Sequence, residues 1–474
     1  MHRDEVQKRN ALTVGMVTLV TFVAFEAVAV TAAMPTVAQA LDGLALYGFA
    51  FGGPFATGIV ATVAAGTWCD RRGPARPILA GVVLFCLGLL GAGLATGIWT
   101  LIAGRLVQGF GGGLITVALY VVVGRAYPAS AHPRVFSALS AAWVLPAVVG
   151  PAIAGLIVEH LGWRWVFLLI AIATLPVAAV IGPHVRPIGG TAGTPGTAGT
   201  PGTPGTPGTP GARAGARIPW AAGVAAGVLL LHWGGQHGGL ALVAGGLLLV
   251  AVCGPRLVPS GTFGARRGLP SVILVRGLAG AAFMQADVFI PLLLTRERGL
   301  TPSLAGLTLT AGALLWSAGS WIQARQGQRF SPAARLRTGL SAIALGVLSA
   351  VALVAPAVPV VAVVAGWCVA GFGMGLASPT ASTLVLQLSR ADEQGVNSSA
   401  LSVADSLLTT VVLAVGGAVF AALVTAGPVA YVAAFLIALL PAVAGALLAG
   451  RVAPGATATA AGPDPRELSL SRAE

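Results

Sequence analysis

Apolar runs of about twenty residues, each closed by a short cluster of glycine, proline or charged residues, repeat along almost the whole chain. Each run can cross about 30 Å of hydrocarbon at about 1.5 Å of rise per residue. Reading runs against breakers predicts helices over 11–39, 44–68, 77–97, 99–123, 134–158 and 163–182, then 219–234 and 238–254, then 270–294, 303–324, 336–355, 358–386, 397–424 and 428–450. A β-barrel would need strands of about ten residues with alternating polarity, and runs such as Ile78 to Gly97 do not alternate. The expected class is therefore an all-α polytopic membrane protein of about fourteen helices.

The breakers also divide the chain. A polar segment, 1–10, precedes a six-helix block over 11–182, and a linker follows over 183–217. Its core, Thr191 to Gly211, is a Thr-X-Gly run, mostly Thr-Pro-Gly, with too little apolar content to fold. Collagen shares glycine at every third position, but this run is short and interrupted by alanine. A pair of weaker apolar runs at 218–254 reads as an inserted two-helix hairpin, crossing the membrane or re-entrant. Either way it makes an even number of crossings and leaves the downstream orientation unchanged. A loop over 255–269, a second six-helix block over 270–450 and a tail over 451–474 complete the division.

Composition agrees with a lipid solvent: 56% of the 474 residues are apolar and 9% charged, against about a quarter charged in soluble domains. The first apolar run is too long for a cleaved signal and is expected to remain as a helix. A net charge of +13 raises the question of nucleic acid, which the positions of the 27 basic residues answer. With the N-terminus placed inside, outer loops hold only Arg164, Arg296 and Arg298, and helices hold Arg105 and Arg276. All the others fall in inner segments, which is the bias of an inner (plasma) membrane protein with both termini cytoplasmic. No nucleic-acid partner is needed to explain the charge. Cys69, Cys86, Cys253 and Cys368 lie in or beside separate spans without metal-ligand spacing, so no metal and no cofactor are expected.

The two blocks echo each other. Gly104, Gly109-Phe110-Gly111 and Gly113-Leu114 match Gly366, Gly371-Phe372-Gly373 and Gly375-Leu376 at an offset of 262 (366 minus 104), and Ala138-Leu139-Ser140 recurs as Ala400-Leu401-Ser402 at the same offset. A duplicated six-helix unit places substrate between its copies.

With so few charges, acids at membrane depth are informative: Glu26, Asp287 and Asp405. A carboxylate there must be protonated, paired or facing a watery cavity, so each is a candidate proton carrier or one half of a structural ion pair. Arg105 either pairs with an acid or snorkels outward, whereas Arg276, near the inner end of its helix, reads as a snorkelling residue. Gln108, Trp143 and Gln285 are candidates for the substrate cavity or for helix packing.

The loop between the second and third spans reads Gly66-Thr67-Trp68-Cys69-Asp70-Arg71-Arg72-Gly73-Pro74-Ala75-Arg76. It resembles the G-x-x-x-D-R-x-G signature of the major facilitator superfamily through Gly66, Asp70, Arg71, Gly73 and Arg76, with Pro74 and Ala75 in place of the usual basic pair. Physically, a carboxylate at a helix end, paired with arginines and a neighbouring helix terminus, is a latch that holds one conformation. Arg105-x-x-Gln108-Gly109 resembles the family's arginine motif, which implies a part in proton transfer for Arg105. Gly150-Pro151-Ala152-Ile153-Ala154-Gly155 is similar to the antiporter motif, with Ala154 in place of a glycine, and implies export. Its small-residue face around a proline also gives close helix approach and a hinge. Further resemblances run through Gly162-Trp163-Arg164-Trp165-Val166-Phe167, Ala33-Met34-Pro35 after Glu26, and Thr301-Pro302-Ser303-Leu304-Ala305-Gly306. Together they look like the fourteen-helix drug:proton antiporter group, where an aspartate usually stands at the position of Glu26.

The expectation is a proton-coupled exporter of small amphiphilic molecules, acting as a monomer in the lipid bilayer by alternating access of two pseudo-symmetric bundles. Its partners are then its substrate and protons. A dedicated exporter of one metabolite or lipid is the alternative, and a non-transporting receptor or scaffold is disfavoured by the acids in its core. Enzyme chemistry is not expected, because no nucleophile with a positioned base and no phosphate loop stands out.

Overall fold

The computed structural model describes residues 2–128, 131–185, 217–236, 239–326, 330–390 and 394–453. Most of the Thr-Pro-Gly linker and of the tail therefore lies outside the described residues. Fourteen α-helices follow in order: α1 (His2–Ala40), α2 (Tyr47–Arg72), α3 (Ala75–Gly93), α4 (Ile98–Ala126), α5 (His132–His160), α6 (Arg164–Val185), α7 (Ile218–Gln236), α8 (Leu240–Cys253), α9 (Leu269–Arg296), α10 (Pro302–Gln326), α11 (Pro332–Leu353), α12 (Val360–Leu388), α13 (Gln394–Leu423) and α14 (Pro428–Leu448). No strand occurs among the described residues. Backbone groups in hydrocarbon need partners within their own segment, which a helix supplies.

Local chemistry sets the helix ends. Gly73, at a φ of +75°, ends α2 with its N–H on the Cys69 carbonyl at 2.9 Å. The Ser331 hydroxyl accepts from Ala334 N at 3.2 Å to start α11, with Pro332 in the first turn.

Eleven of the described helices are long and apolar enough to cross a membrane. The described apolar stretch of α6 is shorter, and α8, at 14 residues, rises only about 21 Å. α10 has the length, but its Thr308, Thr310, Ser317 and Ser320 dilute the apolar run. Ser317 bonds back to Ala313 O at 3.1 Å, and Ser320 reaches across to Gly375 O on α12 at 3.2 Å. The two serine hydroxyls therefore stay satisfied inside the bundle.

The duplication read from the sequence governs packing. In the first half, Gly109 of α4 lies against α2, where a β-carbon would stand 2.2 Å from Pro54 O. In the second half its mate Gly371 of α12 lies against α10, where a β-carbon would stand 2.0 Å from Gly312 O. Any side chain at either position would push a pair of helices apart. α7 packs on α8 and also on both α2 and α13, so the inserted helix touches both halves.

Candidate functional site

Glu26 lies near the middle of α1, and only 5% of it is exposed. Its carboxylate is paired with Arg105 of α4, itself 6% exposed. The same guanidinium donates from Nη1 to Gln108 Oε1 at 2.5 Å and from Nε to Ala50 O of α2 at 3.3 Å. Three helices thus converge on one cation, with Gln108 a single turn from Arg105. A buried charge pair is tolerated when its remaining donors are bonded, and here the glutamine and a backbone carbonyl supply those bonds. Without the Glu26 charge, Arg105 would be left to Gln108 and Ala50 alone. The Ala50 carbonyl carries no side-chain signal, and sequence reasoning missed it.

Asp405 of α13 pairs with Arg276 of α9 at 2.7 Å. Arg276 is therefore not a free snorkelling side chain: the acid 129 residues on in the chain holds it inside the second bundle. Gly280 makes room for the pair, since a β-carbon there would lie 2.0 Å from Asp405 Oδ1. Asp405→Asn is expected to cost about 1–3 kcal/mol, lowering the thermal unfolding midpoint of solubilised protein. The double change Arg276→Met with Asp405→Leu should restore most of it. A double variant that also regains transport would assign the pair to structure. One that regains stability but not proton-driven transport would assign Asp405 to coupling.

Asp287 differs from both. It is half-buried, and among the described residues it has no ion-pair or hydrogen-bond partner. Arg276, Gly280, Met284 and Asp287, spaced by four, four and three, share one face of α9, and all but Gly280 are partly exposed there. The offset of 262 carries Glu26 to position 288, beside Asp287, and carries Arg105 to Trp367. At the equivalent positions the second half thus has Val288 in place of the acid, with Asp287 one residue before it, and an indole in place of the cation. Trp367 is fully buried and stacks on Phe283 with ring centroids 4.6 Å apart. The same offset maps Trp143 onto Asp405. The repeat was legible in the sequence, but these exchanges become visible only when it is applied residue by residue.

The remaining candidates fall into separate places. Gln108 belongs to the Glu26 cluster. Gln285 is fully buried, donates to Ala434 O at 3.3 Å and lies against Gly416, which puts it in the packing between α9, α13 and α14. Trp143, 46% exposed, is followed by exposed Val144 and Leu145. Three consecutive exposed residues sweep about 200° of helix surface, so α5 is open there on more than one side. In the latch loop, Arg71, Arg72 and Arg76 are exposed, Gly66 has open space beside it, and Arg125 of α4 donates to Cys69 O at 3.3 Å. The Asp70 side chain lies outside the described residues.

The hinge motif meets the other bundle. Gly150 packs ordinarily on Val28 and Phe25 of α1. At Gly155, however, a β-carbon would lie 2.5 Å from Ser303 Cα of α10, and at Gly306 one would lie 2.4 Å from Pro151 O. A second seam joins α2 to α13, where a β-carbon on Gly48 would lie 2.4 Å from Gly417 Cα. Tyr47, beside it, donates to Val288 O of α9 at 2.9 Å. Both seams lie toward the helix ends opposite the chain termini.

His232 of α7, 3% exposed, is stacked on Phe49 at 4.6 Å, and its Nδ1 lies 3.0 Å from Val228 O. Its Nε2 faces this second seam, 3.4 Å from where a β-carbon on Gly417 would sit. An apolar groove of about 530 Å³ runs beside the contact of α7 with α2 and α4, with Phe49, Trp99, Leu106, Leu229 and Trp233 among its walls and no ionisable side chain among its lining residues. Among the described residues no cluster of three or more His, Cys, Asp or Glu is placed to hold a metal.

The family model described as Major Facilitator Superfamily matches residues 14–412. The chain belongs to that superfamily. An uncharacterized superfamily transporter of Mycobacterium tuberculosis is 26% identical over 328 residues, covering 66% of this chain and 46% of that protein. The multidrug efflux pump SdrM of Staphylococcus aureus is 28% identical over 175 residues, covering 36% of this chain and 39% of that protein. The chain thus spans less than half the length of these relatives. Among solved structures, a bacterial homolog of the human lysosomal transporter Spinster, in an inward-facing and unoccupied conformation, superposes with a TM-score of 0.66 at 14% identity over 94% of this chain and 97% of that one. A POT family transporter in complex with 5-aminolevulinic acid gives 0.67 at 14% identity, over the same shares. At that identity the likeness speaks for the superfamily fold alone. Family and neighbours alike are membrane transporters rather than enzymes.

Proposed function

We propose that this superfamily member is a proton-coupled secondary active exporter of small amphiphilic molecules, seated in the plasma membrane with both termini in the cytoplasm. The observation that carries the reading is the Glu26–Arg105–Gln108 cluster, a titratable pair buried at mid-span in a chain with almost no other charge at that depth. The distribution of arginines, the export-type motif over 150–155 and the kinship with a multidrug efflux pump support it.

The bundles over 11–182 and 270–450 rock against each other. In the geometry described, the outer ends are joined by Gly155–Ser303 and Gly48–Gly417, while α5 is open around Trp143. On this reading the bundles enclose a cavity open to the cytoplasm. Substrate enters there, and a proton arriving from outside takes the place of Arg105 on Glu26 in the other half of the cycle. Asp287 and Asp405 are the further acids of the path, and the Gly66–Arg76 loop with Asp70 latches the opposite conformation. One elementary charge crossing 100 mV is worth about 2.3 kcal/mol, enough for one proton per cycle to sustain a gradient of a neutral solute.

The test is purified protein in sealed vesicles with a pH gradient of either sign. The expected result is solute movement opposite to the proton movement, reversed when the gradient is reversed and abolished by an uncoupler. Vesicles that move lipophilic solutes equally well with no gradient and with an uncoupler present would refute the coupling.

A further inference from the structure

The hinge motif and the segment Thr301 to Gly306 meet at the outer seam, and they bring together a carboxylate and a helix terminus that the coupling site does not use. Glu159, on the last turn of α5, is exposed, and its Oε1 accepts from Ser303 N at 2.9 Å. Ser303 is the second residue of α10, so its N–H belongs to the first turn, which has no partner inside its own helix. The two residues are 144 positions apart and belong to opposite bundles. Gly155 sits one turn before Glu159 and has no side chain to hold Ser303 away. The contact is therefore delivered by the closed seam and cannot survive its opening.

We propose that Glu159 is a proton-responsive clasp: ionised, it holds the outer ends of the bundles together, and on taking a proton from the external medium it releases them. A carboxylate binds a helix N-terminus through charge as well as through its hydrogen bond, and the neutral acid keeps only a weaker acceptor. Among the described residues, His160 is its ionisable neighbour on α5, and Ser303 and Thr301 face it from the α10 side. Arg164 is engaged with Ala95 O at 3.0 Å and with the Trp163 ring, and Arg298 with the carbonyls of Leu353, Ala355, Pro356 and Val358. The inference rests on the orientation proposed above. It adds that external acid opens the side from which coupling protons arrive, so that outer opening precedes loading of Glu26.

The test uses spin labels on Leu94→Cys and Val361→Cys, exposed positions at the outer ends of α3 and α12, in full-length protein in lipid nanodiscs with the native cysteines removed. A Glu26→Gln background silences the coupling site. From neutral to about pH 4, below the ordinary carboxylate value, the long-distance, outward-open population of this parent should rise about threefold. Glu159→Gln, which keeps an oxygen for Ser303 N–H but cannot titrate, should stay closed and flat. Glu159→Ala should be shifted open at both pH values, and His160→Asn should respond like the parent. A Glu159→Gln variant that opens with acid as the parent does, or a Glu159→Ala variant as closed as the parent at neutral pH, overturns the clasp. The readout needs no transport, so a chain that proves not to exchange protons for solute can still pass this test, and an efficient antiporter can fail it.

Discussion

Glu26→Gln is expected to lower proton-driven efflux by about two orders of magnitude or more, the scale on which a positioned proton-transfer group contributes, with protein still present in the membrane. Gln retains an oxygen facing Arg105 and nearly the same volume, so packing among α1, α2 and α4 is preserved. What disappears is the negative charge. Arg105 then remains held by Gln108 and Ala50 with no counter-ion whose removal by a proton could drive a change. Taking one partner from a buried ion pair costs about 3–5 kcal/mol, so a lowered unfolding midpoint should accompany the loss. Glu26→Asp keeps the titratable group but pulls it back by one methylene, and it should recover part of the activity. Efflux in Glu26→Gln that is unchanged and still sensitive to uncoupler would remove this residue from the mechanism.

The second large effect is expected at Gly48. A valine there must place a β-carbon where Gly417 Cα would be 2.4 Å away, against about 3.5–4.0 Å for ordinary carbon contacts. α2 and α13 would separate, and the outer face would not seal. Because the crossing joins two bundles rather than the helices of one, each bundle should fold and the cycle should stall open to the outside. Export should fall about tenfold or more, the equilibrium being displaced by more than about 1.4 kcal/mol. A cysteine at Met284, on the half-buried face of α9, should at the same time react faster with an impermeant thiol reagent added outside. Normal export with slow labelling would show that the seam is not a gate.

Much of the fold was legible because lipid leaves little choice: runs of the right length must be helices, and glycine pairs at a fixed offset must be crossings. Helix existence follows from this, and so does the match of Gly109 to Gly371. The charge pairs were less legible. Arg105 and Glu26 were both visible, yet their pairing depends on how α1 leans on α4, which no local spacing encodes. The depth of Arg276 along α9 fits a snorkelling side chain, whereas its partner Asp405 comes from α13 and is admitted by Gly280 of α9. Gln285 illustrates the opposite problem: a lone amide in an apolar span reads the same whether it faces a cavity or donates to a backbone carbonyl such as Ala434 O. Glu159 gave no signal at all, since an exposed acid at a helix end is ordinary until the other bundle arrives beneath it.

One feature of the inserted hairpin bears on how such a machine is paced. α7 rests on α2 and α13 together, with the His232 ring wedged against Phe49 beside the glycines that let those two helices touch. A strut fastened to both leaves of a hinge must slip on one of them each time the hinge swings. In the rocking cycle proposed above, the hairpin would act as friction on the turnover, setting how often the door moves while leaving what passes through it to residues elsewhere.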